Sequence, residues 1–192
     1  MADAGNAKPL KKKAVFLDRD GVINKSFVID GKPYAPRTFE DFKVYEHAKL
    51  SLALLKKRGF KTIVISNQPD IGNGLMRRNE LVKMHNYLMR TLDLDKVKVC
   101  CHGQDDGCVC RKPRPGMLLD VQNELDLCME QSWLVGDRDS DLGAGIAAGV
   151  RTIFVDRGYK EPVKNNPDFI VSSLIEAVEV ITESLNNLEP VK

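Results

Sequence analysis

Ala14-Val15-Phe16-Leu17-Asp18-Arg19-Asp20-Gly21-Val22 is the stretch that decides the fold. Four apolar residues in a row, without alternation, describe a strand buried on both faces, as in the interior of a parallel sheet. The run ends on two carboxylates two residues apart, followed by a glycine that permits a sharp turn. Asp and Gly are also ordinary turn residues, so the pentapeptide alone reads equally well as a capped strand end.

Further short runs rich in Val and Ile lie at 60–65, 97–100, 133–135, 152–155 and 169–171, and read as strands like 14–17. Between them, apolar residues at helical spacing predict helices over 48–55, 81–92, 117–125, 142–148 and 174–181. Alternation of this kind predicts an α/β fold: a doubly wound parallel sheet in a three-layer αβα sandwich. Ligands of such sheets sit beyond the strand carboxyl ends, so the long connections 18–46 and 101–116 are the places to look for chemistry.

A chain of 192 residues with 43% hydrophobic content builds one sizeable core. The expected organisation is a tail over 1–12, one domain over 13–185 with a metal-binding loop at 100–110, and a tail over 186–192. Its 29 basic and 27 acidic side chains leave a net charge of +2, too even a balance for a nucleic-acid or membrane footprint. No apolar run reaches the roughly 20 residues needed to span a bilayer, and the N-terminal stretch has no signal-peptide pattern. The expectation is a cytoplasmic monomer acting on a small molecule.

Three further strand ends carry polar groups: Ser66-Asn67-Gln68, Lys112 in the loop after the third strand, and Gly136-Asp137-Arg138-Asp139-Ser140-Asp141. Phosphoryl transfer through an enzyme carboxylate needs a nucleophile, a proton donor, a cation against the phosphate and a metal held by carboxylates. All four are available here. Some of Asp139, Ser140 and Asp141 can instead serve as helix caps.

Taken in order, Asp18-Arg19-Asp20-Gly21-Val22, Ser66, Lys112 and the Gly136-to-Asp141 stretch resemble the four motifs of the haloacid-dehalogenase phosphatases. The resemblance implies that Asp18 is the nucleophile, forming an aspartyl-phosphate, and that Asp20 protonates the leaving group and then activates water. It implies that Ser66 and the Asn67 backbone hold phosphoryl oxygens and that Lys112 neutralises charge. Magnesium would be held by Asp18, the Asp20 carbonyl and Asp137, while Asp141 orients Lys112 or a metal-bound water.

Residues 100–110 read Cys-Cys-His-Gly-Gln-Asp-Asp-Gly-Cys-Val-Cys and offer five soft ligands. Zinc suits such a set, with Cys100, His102, Cys108 and Cys110 as ligands and Cys101 spare. The other reading is free thiols in a flexible loop. A Cys-x-His pair followed by Cys-x-Cys-Arg-Lys-Pro is similar to the heptose-bisphosphate phosphatases and the bacterial histidinol-phosphate phosphatases, which strengthens the zinc reading. A metal there would pin the loop that delivers Arg111, a substrate-binding candidate, and Lys112.

That subfamily lacks a large cap domain, and 22–46 and 69–78 are too short to form one. The implied substrate is a phosphorylated sugar, first a heptose bisphosphate, with Lys25, Arg37, Asn73, Arg77 and Arg114 as further candidate contacts. One departure stands out: the family's Ser-Gly-Ile-Ala-Arg-Gly loop is replaced by Pro69-Asp70-Ile71-Gly72-Asn73-Gly74, without its arginine. Met84, Met89, Met117, Met129, Trp133 and Cys128 are read as packing, and His47 and His85 as surface or capping residues. A phospho-aspartate switch and an inactive zinc-stabilised binding module are the non-enzymatic alternatives. Asp20 argues against the switch because it would speed hydrolysis, and the intact acidic set argues against the module.

Overall fold

The computed structural model describes residues 11–186, so most of the two expected tails, 1–10 and 187–192, lies outside it. Six parallel strands form one sheet in the order β5-β4-β1-β6-β7-β8. They are β1 (Lys13–Leu17), β4 (Phe60–Asn67), β5 (Lys96–Cys100), β6 (Trp133–Gly136), β7 (Arg151–Val155) and β8 (Phe169–Val171). The helices are α1 (Ala48–Lys57), the single turn α2 (Pro69–Gly72), α3 (Arg78–Thr91), α4 (Gly116–Leu125), α5 (Asp139–Ala148) and α6 (Leu174–Asn186). The predicted αβα sandwich is the observed one, and no predicted strand or helix is missing.

The unbroken apolar run of β1 is explained by its position. It lies between β4 and β6, with Phe16 beside both Ile63 and Leu134. Val15 and Leu17 face one layer, with Leu52, Leu55, Met84, Leu88, Val178 and Ile181 from α1, α3 and α6. Ala14 and Phe16 face the other, with Met117, Leu118 and Val121 of α4 and Ala144 of α5. Both faces of the strand are therefore core. From β1 the chain winds outward to β4 and β5, then returns to the other side of β1 with β6, which creates a crevice at the carboxyl ends of these strands.

Helix ends extend past the predicted bounds where polar residues carry no apolar period, as in the Asp139-Ser140-Asp141 first turn of α5. The connection 18–46 holds a hairpin that apolar spacing did not reveal: β2 (Phe27–Ile29) pairs with β3 (Lys32–Tyr34). Its two-residue turn is Asp30-Gly31, both at positive φ, the Asp-Gly signal of a tight hairpin. Lys12 already bridges to Leu127, and α6 runs on to Asn186. Trp133, Met84, Met117 and Met129 are buried as expected, but Met89 is exposed. Cys128 is only half-buried, its thiol donating to Glu130. Among the described residues no helix is long and apolar enough to cross a membrane.

Phe16 is fully buried at the centre of the sheet. Phe16→Ala is expected to lower unfolding stability by about 3–5 kcal/mol, read from a denaturant midpoint shifted at constant slope.

Candidate active site

The tips of β1, β4 and β6 and the loop after β5 converge on Asp18. Its backbone N–H bonds the Val135 carbonyl, which locks the β1 tip to β6. Asp18 Oδ1 lies 2.5 Å from Lys112 Nζ. That ammonium, 3% exposed, also donates to the Ile65 carbonyl at 2.9 Å and pairs with Asp141 Oδ1 at 2.5 Å. Burial opposes the Lys112 charge, but Asp141 and Asp18 outweigh it and push its pKa above the ordinary lysine value. Burial pushes the Asp18 carboxyl up to about 6, against the pull of Lys112 and with the help of Asp141 and Asp20.

Asp137 stands across from Asp18. It is 2% exposed, and its Oδ2 accepts the Tyr159 hydroxyl at 2.9 Å. Burial, then Asp18 and Asp141, raise its pKa well above the usual carboxylate range. Its Oδ1 is buried without a hydrogen-bond partner. One carboxylate oxygen each from Asp18, Asp137 and Asp141 fall within 4.8 Å of one another. Three carboxylates against one ammonium, with an oxygen left bare, fit a hard divalent cation such as magnesium.

The turn after β1 explains the Asp-x-Asp-Gly spacing. The Ile23 and Asn24 N–H groups both return to the Arg19 carbonyl, and Gly21 N–H bonds the Asn24 carbonyl. Gly21 has φ +88°, and a Cβ there would stand 1.8 Å from Asp137 Oδ2. Arg19, fully buried, points inward and grips both oxygens of Asp20, with Nη2 at 2.9 Å from each. Its Nη1 lies 3.4 Å from His85 Nε2. Burial, then Arg19, push the His85 pKa down to about 4, so this histidine backs the Asp20 turn and is not the surface or capping residue expected. His47 precedes α1 without a side-chain cap bond and stacks on Tyr45.

The β4 tip joins the motifs. The Asn67 carboxamide clasps the Lys112 backbone in both directions, donating to its carbonyl and accepting its N–H, each at 3.1 Å. Gln68 Nε2 donates to Asp20 Oδ2 at 2.6 Å and to Ser66 Oγ at 2.9 Å. Ser66, expected to bind phosphate, is 1% exposed and is not among the residues lining the cleft. At the start of α5, Asp141 Oδ2 accepts the Arg138 N–H as a cap while its Oδ1 meets Lys112. Asp139 binds the N–H groups of Lys164 and Asn165, a loop-anchoring role.

These groups floor a cleft of about 430 Å³, walled by Lys32, Pro33 and Tyr34 of the hairpin, by Asn67 and Gln68, and by Arg111 and Arg138. Arg111 keeps a buried Nη1 with no partner. Among the further candidate contacts, Arg37, paired with Asp70 at 2.6 Å, and Asn73 line the cleft. Arg114 instead turns to the Cys108 carbonyl, Arg77 lines a separate groove, and Lys25 is not on the cleft wall. Sequence reasoning missed Lys32 and Gln68 on the cleft wall, and also Arg19, Asn24 and Tyr159 behind the site. Only the Asp30-Gly31 turn signal could have placed Lys32.

Beside the cleft, Cys100 Sγ and Cys110 Sγ lie 3.5 and 3.3 Å from His102 Nδ1, and Cys108 Sγ is 3.6 Å from each of the two sulfurs. Edges of that length approach those of a tetrahedron around zinc, where Zn–S bonds of about 2.3 Å place sulfurs roughly 3.8 Å apart. Cys101 stands outside the cluster.

The HAD-hydrolase-like family model matches residues 109–177. The D-glycero-beta-D-manno-heptose-1,7-bisphosphate 7-phosphatase of Helicobacter pylori (strain ATCC 700392 / 26695) is 37% identical, over 78% of this chain and 88% of its own. The corresponding alpha-anomer phosphatase of Campylobacter jejuni is also 37% identical, over 79% and 87%. The D,D-heptose 1,7-bisphosphate phosphatase of B. bronchiseptica, solved with magnesium and phosphate, superposes with TM-score 0.76 at 26% identity, covering 90% of this chain and 99% of that one.

Gly21→Ala, which drives a methyl group into the Asp137 carboxylate, is expected to lower kcat by about 100-fold. Circular dichroism should remain that of the parent, and wild-type turnover in this variant would contradict the described contact.

Proposed function

This chain belongs to the heptose-bisphosphate phosphatases of the haloacid-dehalogenase-like hydrolases, and we propose that it removes the 7-phosphate of D-glycero-D-manno-heptose 1,7-bisphosphate. The observation that carries the reaction type is Asp18 at the central strand tip, 2.5 Å from the buried Lys112 ammonium. The relatives support the substrate, and the beta- and alpha-anomer enzymes match equally well at 37% identity, so the choice of anomer rests with the cleft walls.

In this reading Asp18 attacks phosphorus while Asp20 gives its proton to the departing sugar oxygen, leaving an aspartyl-phosphate. Asp20 then takes a proton from water as the water displaces Asp18. Lys112 lies where charge gathers on the phosphoryl oxygens, and Arg111 and Lys32 face the remainder of a polyanionic substrate across the cleft. Ser66 and the Asn67 backbone are assigned to phosphate binding as the motif implies. Asp18, Asp137 and the Asp20 carbonyl would hold magnesium, which neutralises phosphate charge when bound. Asp141 holds Lys112.

Cys100, His102, Cys108 and Cys110 would hold a structural zinc that fixes the loop ending in Arg111 and Lys112. The chain is expected to act as a monomer, and five cysteines that form no disulfide suit a reducing cytoplasm.

Phosphate release with magnesium is expected to be fastest on one heptose 1,7-bisphosphate anomer in a panel with histidinol phosphate and fructose 1,6-bisphosphate. Preference for another member would change the substrate, and no hydrolysis would overturn the phosphatase reading. Asp18→Asn should lower kcat by roughly 10⁴-fold or more, with the fold retained. Cys108→Ser is expected to lose zinc, read by elemental analysis, and to unfold at lower temperature, because structural metal binding is coupled to folding.

A further inference from the structure

We propose that Gln68 is a positioning residue of the reaction, its single carboxamide holding the acid–base carboxyl of Asp20 in register with the Ser66 hydroxyl. The proposal rests on the phosphatase reading above and concerns a residue to which the catalytic motifs give no role.

Gln68 follows the last residue of β4 and is fully buried, with its backbone N–H bonded to the Cys100 carbonyl at 2.7 Å. Its Nε2 donates to Asp20 Oδ2 at 2.6 Å and to Ser66 Oγ at 2.9 Å. A carboxylate offers only acceptors, so the amide nitrogen must face Asp20, and both of its hydrogens are then engaged. The other donors to Asp20, Arg19 and Asn24, belong to the same turn as Asp20 itself. They fix the carboxyl within its turn but make no hydrogen bond from it to β4. Gln68 is the hydrogen-bonded link, among the described residues, from the Asp20 carboxyl to a different strand tip.

The same carboxamide also separates two groups that would otherwise pair. Without an N–H between them, the Ser66 hydroxyl has a carboxylate close by as its strongest acceptor, and its hydrogen would be drawn to Asp20. With Gln68 in place, Ser66 Oγ accepts, and its O–H is not drawn to the Asp20 carboxyl. In the first step the bond from phosphorus to the sugar oxygen breaks, the bond from Asp18 to phosphorus forms, and the proton on the Asp20 carboxyl moves to the sugar oxygen. Holding that carboxyl in place matters most when the leaving group needs the proton.

The test compares leaving groups in single-turnover experiments on the magnesium-loaded full chain, timing release of the alcohol so that the later hydrolysis of the aspartyl-phosphate is not counted. The substrates are heptose 1,7-bisphosphate, whose alkoxide must be protonated, and p-nitrophenyl phosphate, whose phenolate leaves without help. Gln68→Met is expected to slow the sugar substrate at least about tenfold more than the aryl one, within the range set by general acid catalysis. In an Asp20→Asn background the same substitution should cost little more, since its effect runs through Asp20. If Gln68→Met does not fold, Gln68→Glu, of the same shape, is expected to show the same selective loss. Equal slowing of both substrates, or full additivity with Asp20→Asn, would overturn the proposal and leave the phosphatase reading standing. A wild-type chain that hydrolyses neither substrate would overturn both.

Discussion

The ammonium group of Lys112 is the point on which the site turns. It reaches Asp18, Asp141 and the Ile65 carbonyl in an interior where an unpaired charge is costly. Removing one partner of such a buried pair typically costs about 3–5 kcal/mol, so the lysine ties β1, β4 and α5 together. Its position depends in turn on a long loop. The Asn67 clasp fixes the Lys112 backbone from one side, and the sulfur and imidazole cluster lies in the loop just before it.

The surrounding charges follow from this. Asp18, Asp137 and Asp141 crowd around one ammonium, and burial together with their mutual repulsion raises the Asp18 and Asp137 pKa values. Asp20 is met instead by the inward-turned Arg19 guanidinium, with His85 behind it. Two aspartates two residues apart thus occupy different surroundings: one is set against lysine and carboxylates in the cleft, the other against a buried guanidinium. That division suits the two roles proposed for them, nucleophile and proton carrier.

The parallel sheet was legible because buried strands leave unbroken apolar runs, and β1, β4 and β6 have both faces covered. Asp18, Asp20 and Asp137 could be placed at the crevice because such strands end there, and the resemblance supplied the roles expected of them and of Lys112 in the loop after β5. The β2–β3 hairpin was not found: its strands are short and exposed, so they carry no core pattern, and only Asp30-Gly31 marks it. Gln68 and Tyr159 could not be read as partners of Asp20 and Asp137, because their contacts join segments distant in sequence, and nothing in the sequence showed that Arg19 turns inward to its neighbour Asp20. The altered Pro69–Gly74 loop gains a physical context. Gly72 packs so closely on the Cys101 and His102 backbone that a Cβ would meet the Cys101 carbonyl at 2.6 Å, and Asp70 draws Arg37 to the rim.

The register of β1 also governs when the protein can work. Its neighbours are β4 and, 118 residues further on from Val15, Trp133 in β6, so the central strand is sandwiched only by a long-range pairing. Contacts of that span form slowly compared with local ones, because the loop between them must close first. A growing chain carries Asp18 and Asp20 well before Lys112 and Asp137, which join them only when the second half of the sheet has docked. Hydrolytic competence is thereby a property of the finished topology, and an incomplete chain with both aspartates already made has no assembled site with which to attack the phosphate esters around it.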